Sequence, residues 1–317
     1  MIVYILKRIL SLIPVLFIVS LVIFFIVHFT PGDPASYILG NEATADQVNE
    51  LREQMRLNDP IPEQYLRWLG GVMKGDLGSS YFMNQPVMTS ILDHLAPTFS
   101  LAVFAQLIAI VISIPLGIIA AIRRGTATDQ SVMFLSLIGM AIPSFLLALF
   151  LALIFGVLLE WLPVAGYQPL QRGVWNHLQF LILPAISLGA IQAALISRMT
   201  RSSMLEVLNT DYIKMARAKG TKEIVVICQH ALKNAFLPIL TVIGQTFGAL
   251  VTGAVVTETI FNIPGIGQLI INSIERRDYA IIQGIVLFVT MIYVCLNLII
   301  DLMYGFIDPR VRLQQRK

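Results

Sequence analysis

Six stretches of this chain contain no Asp, Glu, Lys or Arg for more than twenty residues: 9–32, 94–122, 130–159, 173–197, 234–257 and 279–300. They run from 22 to 30 residues and take up 154 of the 317, whereas the next longest charge-free runs reach only 16. A helix needs about 20 apolar residues to cross a bilayer core of about 30 Å, so each run is long enough to span. Only 13% of the residues are charged and 56% are hydrophobic. A soluble domain carries roughly 25% charge, so this chain cannot clothe a water-facing surface. A soluble enzyme, a disordered tail and a nucleic-acid-binding module are excluded. A closed β-barrel also satisfies every backbone group in lipid, but its strands alternate over about ten residues. Leu16 to Val27 reads LFIVSLVIFFIV, apolar on all sides. The sequence predicts an all-α membrane protein of six transmembrane helices.

Charge placement gives these spans a direction. The first run follows Lys7 and Arg8, is longer than a signal-peptide core, and has no small-x-small cleavage site after it. It reads as a retained signal anchor, stopped by Thr30-Pro31-Gly32-Asp33-Pro34. Six spans then put both termini in the cytoplasm and residues 30–93, 160–172 and 258–278 outside. On that assignment the inner side holds fifteen basic and five acidic residues, the outer side seven and thirteen. The excess of Lys and Arg inside is the bias that orients membrane proteins. Two segments exceed mere connections. Residues 1–98 form the anchor helix plus an extracytoplasmic segment, with a helical stretch at Ala45 to Met55 and a turn at Asp59-Pro60-Ile61-Pro62. Residues 99–317 form the transmembrane domain, with a long cytoplasmic loop at 198–233 holding seven of the fifteen inner basic residues.

The chemistry of an enzyme is not visible. Cys228 and Cys295 read as two free thiols. His28, His94, His177 and His230 are scattered, without metal-ligand spacing. There is no Gly-Lys dipeptide and hence no phosphate-cradling P-loop. The span interiors are bare of ionisable groups except Asp301, at a cytoplasmic end, which argues against an ion-coupled carrier. Pro14, Pro115, Pro143, Pro184 and the Gly244-x-x-x-Gly248 pair modify the helices. The polar residues Gln106, Ser113, Ser136, Ser144, Ser187, Gln192, Gln245, Thr246 and Thr252 are compatible with a polar path and equally with interhelical hydrogen bonds. Residues 259–274 are charge-free but too short to span, and Pro264-Gly265 breaks them. That pattern predicts a re-entrant or interfacial segment, either an outer gate around Pro264, Gly265 and Gly267 or a lipid-interface anchor.

The long inner loop carries Asp211-Tyr212-Ile213-Lys214-Met215-Ala216-Arg217-Ala218-Lys219-Gly220, followed by His230-Ala231-Leu232-Lys233-Asn234-Ala235-Phe236-Leu237-Pro238. This resembles the EAA loop of bacterial ABC-importer permeases of the type I class, in the variant DYxxxARAKG followed by HALxNAxxP. Lys214 and Met215 stand where the general motif has its Glu and first Ala. Three further segments are similar to the B-type transmembrane subunit of the dipeptide and oligopeptide (peptide/nickel) family. These are the N-terminus through Asp33-Pro34, Leu57–Tyr65 with Gly75–Ser80, and Glu258–Gly267. The resemblance implies a helix–turn–helix that docks an ATPase through Asp211, Tyr212, Ala216, Arg217, Ala218, Lys219 and Gly220. It also implies the partners: a second, homologous permease, two ATP-binding cassette subunits that hold ATP and Mg, and an extracytoplasmic solute-binding protein. The chain itself is then neither an enzyme nor a cofactor carrier. The substrates implied are di- or oligopeptides, with nickel complexes, glutathione and glycosides as alternatives in the same family. A self-sufficient channel or secondary transporter is the competing class, and a membrane scaffold without transport a third.

Overall fold

Helix is the only regular structure that long apolar runs can form without leaving backbone groups unpaired in lipid, and helices account for nearly every element of the chain. A computed structural model describes residues 2–29, 33–40, 43–80 and 82–307. Thr30-Pro31-Gly32 and the basic residues Arg310 to Lys317 lie outside the described residues, as do the side chains of Lys7, Arg8 and Asp301. Two compact units are present, Met1–Ala96 with Pro264–Cys295, and Pro97–Ile263 with Leu296–Lys317.

In the first unit, α1 (Ile2–Phe29) is followed by α2 (Pro34–Leu39), α3 (Ala45–Gln54) and α4 (Ile61–Met73). A reciprocal capping box starts α3, Thr44 bonding the Gln47 backbone and Gln47 the Thr44 backbone. Pro60 and Pro62 set the start of α4, where a missing N–H costs nothing. Tyr65 and Ser20 share a hydroxyl hydrogen bond of 2.9 Å, and His28 meets the Gln64 side-chain oxygen at 3.1 Å. Phe24 sits edge-on to Tyr65 and stacked with His28, so α4 is pinned to α1 by an aromatic cluster. A two-residue antiparallel pairing, Ser79–Ser80 with Gln85–Pro86, leads into α5 (Val87–Ile122). The core of the unit is Val87, Ile91, Ile266, Leu269, Ile281 and Ile285. The segment after α1 therefore builds its core with residues from far along the chain.

The second unit centres on one long helix. The part of α5 from Pro97 onward is followed by α6 (Ala127–Ala141) and α7 (Ser144–Leu151), which continues as a π-helical turn over Ala152–Leu158. Then α8 (Val174–Leu208) runs 35 residues without a break. After it come α9 (Asp211–Ala218), α10 (Glu223–Val225) and a π-helical turn over Val226–Ala231. Next are α11 (Leu232–Gly253) and α12 (Val255–Ile260). Beyond the second unit, α13 (Ile266–Glu275) belongs to the first, and α14 (Tyr279–Ile307) ends the described chain. Glycines let α8 and its neighbours meet closely. A β-carbon on Gly117 would stand 2.6 Å from Thr200 Cβ and 2.7 Å from the Ser197 carbonyl oxygen; one on Gly189 would stand 2.9 Å from the Ala105 oxygen. Gly244 of the GxxxG pair packs in the same way on Ile300.

Among the described residues four helices are long and apolar enough to span, and the pair Ala127–Ala141 and Ser144–Leu158 reaches that length only when taken together, as a broken span or a re-entrant loop. The charge-free run 130–159 predicts one span modified at Pro143, and the chain turns by 97° there. Pro143 is the cause: its ring disfavours the helical conformation at the preceding residue, and Ile142 is extended at φ −80°, ψ 121°. In α1 the shorter apolar stretch Leu10–Ile26 is described.

Candidate functional site

The loop after α8 is a braced structure of its own. Thr210 leaves the helix in an extended conformation and α9 starts at Asp211. Gly220 turns the chain at φ +77°, a left-handed conformation that glycine adopts without a β-carbon clash. Across that turn Arg217 grips Glu223 with its fork, Nε to Oε2 at 3.1 Å and a terminal nitrogen to Oε1 at 2.6 Å. The Glu223 carboxylate raises the Arg217 guanidinium above its ordinary value. Lys214 donates to Asp211 at 2.8 Å and holds that carboxyl below the usual carboxylate range. On the far side, Asn234 donates to the Tyr212 oxygen and the His230 carbonyl, both at 2.9 Å, and the Tyr212 hydroxyl itself donates to that carbonyl at 3.3 Å.

Beneath the loop, Ile213 is fully buried in a cluster with Ile196, Met204, Val226, Ala231 and Ile239. Of the seven residues expected to face an ATPase, Asp211, Tyr212, Arg217, Ala218, Lys219 and Gly220 are exposed, and Ala216 is half-buried against that cluster. Arg217 is engaged within the chain, so its charge shapes the loop before it meets a partner. Sequence reasoning missed Glu223 as its counterpart, and missed the apolar side chains beside it. Tyr212, Met215 and Ile224, all in this loop, are 42%, 60% and 64% exposed. Exposed apolar groups rimmed by charge mark an interaction surface, and an isoleucine inside a basic loop was the available signal.

At the other candidate, Pro264 is exposed while Gly265 and Gly267 are buried at the start of α13, where the Leu269 N–H donates to the Gly265 carbonyl at 2.9 Å. Gly265 is extended, φ −102° and ψ 179°, so its conformation alone does not demand glycine. Separately, Glu258, which the sequence reading puts in a loop, lies in α12 and is fully buried. The Thr98 hydroxyl donates to its Oε1 at 2.6 Å. It is the single charge between Lys233 and Glu275, and that isolation was the sign that it needed a buried partner.

The polar residues of the spans divide. Gln106, Ser113, Ser136, Ser187 and Thr246 are buried, and Thr246 donates to the Gln106 oxygen at 3.3 Å, tying α11 to α5. Gln245 and Thr252 are exposed, while Ser144 and Gln192 are half-buried.

Comparison with known proteins decides what such a bundle is. Residues 113–313 match the binding-protein-dependent transport system inner membrane component family, and residues 1–102 match the N-terminal component of the same systems. The chain belongs to this family. It is an ABC-importer permease, a multi-pass protein of the cytoplasmic membrane. A probable peptide ABC transporter permease of Sinorhizobium fredii is 42% identical over 98% of this chain and 99% of its own. The dipeptide transport system permease DppB of Alkalihalophilus pseudofirmus is 43% identical over 98% of this chain and 100% of its own. The glutathione transport system permease GsiC of Shigella flexneri is 39% identical over 98% of each. Among solved structures, the inward-facing MetNI methionine ABC transporter matches with a TM-score of 0.56 at 16% identity. That match covers 70% of the permease and 97% of the solved chain, and shows the shared fold.

Proposed function

We propose that this permease is one of two transmembrane subunits of an ABC importer for peptides, with six spans and both termini in the cytoplasm. A second, homologous permease completes the path. Two ATPase subunits, which bind ATP and Mg, dock on Asp211 to Gly220, and an extracytoplasmic binding protein delivers the peptide. The mechanism is alternating access: closure of the ATPases moves the loop, and the helices convert that movement into opening first outward and then inward. The observation that carries this reading is the braced loop on the end of α8, with Tyr212, Met215 and Ile224 exposed beside basic residues. A channel has no use for such a surface.

The peptide assignment rests on the two relatives named for peptide and dipeptide transport. The GsiC relative favours glutathione as a second reading. Uptake by the assembled complex, competed with dipeptides, longer peptides and glutathione in turn, separates them. We expect peptides to compete; competition by glutathione alone would replace the peptide reading. Pro264, Gly265 and Gly267 are proposed as part of the outer gate. Replacing Gly265 and Gly267 with leucine should impair uptake while leaving the complex assembled, and undiminished uptake would remove the gate role.

A further inference from the structure

A buried Asp129 and a half-buried Arg201 meet in an ion pair that the proposed transport scheme does not call on. The Arg201 fork spans both carboxylate oxygens, Nε to Oδ1 at 2.5 Å and a terminal nitrogen to Oδ2 at 2.7 Å. The Gly125 N–H donates a third bond to Oδ2 at 3.0 Å, from a turn where that glycine sits at φ +78°. The Asp129 side chain is only 5% exposed. Three elements are joined at this point: the turn that ends α5, the first turn of α6, and α8.

Energy alone does not account for such a pair. Two well-packed apolar side chains hold helices together at least as well as a buried ion pair, because desolvation offsets most of the attraction. What a bidentate arginine adds is a fixed register between the two helices. The position of that register is informative. Arg201 is in the last third of α8, and only Asn209 and Thr210 separate α8 from α9. One residue before Arg201, Thr200 is locked against Gly117 of α5, with no room for a β-carbon between them. Along α6, Gly139 lies against the Ala190 carbonyl oxygen of α8, where a β-carbon would stand 3.4 Å away. Beyond α6, the chain bends by 97° at Pro143.

We infer that Asp129 and Arg201 are a positioning pair that makes α6 and the inner end of α5 move with α8, so that displacement of the 211–220 loop reaches the broken span as one rigid-body motion. This rests on the proposed docking of ATPases at that loop. Without the pair α8 still moves with the loop, but α6 is free to slip against it, and ATP is spent without opening the path. The pair acts through the helices it joins and touches neither peptide nor nucleotide.

The test is the ratio of peptide taken up to ATP hydrolysed in proteoliposomes holding the full complex and the loaded binding protein. The double variant Asp129→Asn with Arg201→Gln removes both charges together, so no unpaired charge is left buried. Its uptake per ATP should fall about tenfold, within the usual range for a lost coupling between two sites, while ATP turnover persists and the complex still purifies whole. Arg201→Lys keeps the charge and loses the fork, and should show a smaller fall in the same ratio. A double variant with the ratio of the unmodified complex would overturn the inference. So would a fall in uptake and ATP turnover together, in proportion to the complex recovered, since that is the mark of a merely structural role. If the unmodified complex shows no ATP turnover responsive to the loaded binding protein, the docking reading fails first and takes this inference with it.

Discussion

Gly220 and the Arg217–Glu223 pair do different work in the same turn. Gly220 permits the turn because φ +77° costs other residues roughly 1–2 kcal/mol. A β-carbon there would meet nothing within 4 Å, so Gly220→Val strains the backbone without a clash. The expected result is a permease that inserts normally but whose complex shows weakened ATP stimulation by loaded binding protein, read from steady-state phosphate release. Arg217 and Glu223 are both substantially exposed, and an exposed pair contributes no more than about 1 kcal/mol. Glu223→Gln should therefore leave the melting temperature of the complex nearly unchanged and lower ATPase stimulation several-fold, the range of a modest coupling energy. Equal stimulation in the variant would show that Arg217 needs no brace. For Asp211, whose carboxyl is depressed by Lys214, the sign is that of a lowered folded-state value. Its contribution is complete above the ordinary aspartate value of about 3.9 and fades only as pH falls through the lowered one. Stimulation measured between about pH 6 and 8 should thus show no step from Asp211, and Asp211→Asn should change its level and not its pH profile.

At the scale of elements, crossings and breaks were legible to different degrees. The charge-free runs located the long helices because absence of charge over twenty residues has one physical meaning in a bilayer. The helical stretch expected at Ala45 to Met55 is the helix Ala45–Gln54, and the structure adds its Thr44 and Gln47 capping box. That Pro143 breaks its helix where the others do not was not legible, because Pro14, Pro97, Pro115, Pro184 and Pro238 all sit inside continuous helices. Whether a proline kinks or breaks a span is decided by what re-satisfies the freed backbone groups, and that is tertiary information. The π-helical turns at Ala152–Leu158 and Val226–Ala231 gave no signal in composition either. For the same reason Glu258 looked like a loop residue until Thr98, 160 positions away, was seen beside it. Gly117 makes the packing side of this testable. Gly117→Val would drive side-chain atoms into Thr200 and the Ser197 carbonyl, where backbone cannot retreat. Overpacking typically costs 1–3 kcal/mol, or roughly that and more here, and the expected outcome is a sharp drop in assembled complex on size-exclusion chromatography. Normal recovery would mean that α5 and α8 separate more easily than their contact implies.

This chain is a multi-pass membrane permease, and the loop proposed to take up the drive follows directly on α8, its 35-residue helix. Large apolar side chains such as Phe134, Leu135, Phe145 and Phe150 are exposed on α6 and α7, as lipid-facing helices of a membrane protein require. The polar surface is concentrated in the loop after α8 and in the segment between α1 and α5. That division is what a subunit needs if its energy comes from another polypeptide. Charge placement marked the long basic loop and the family resemblance marked residues 211–220 within it, whereas the charge partners, Glu223 for Arg217 and Asp129 for Arg201, required the fold. The central claim is that this permease moves solute only when ATPase subunits act on the 211–220 loop. The most direct measurement is peptide uptake into proteoliposomes with and without those subunits, ATP being supplied on their side. Uptake should require them and stop when the P-loop lysine of the ATPase is replaced. Peptide uptake at the full rate by this chain alone would contradict it.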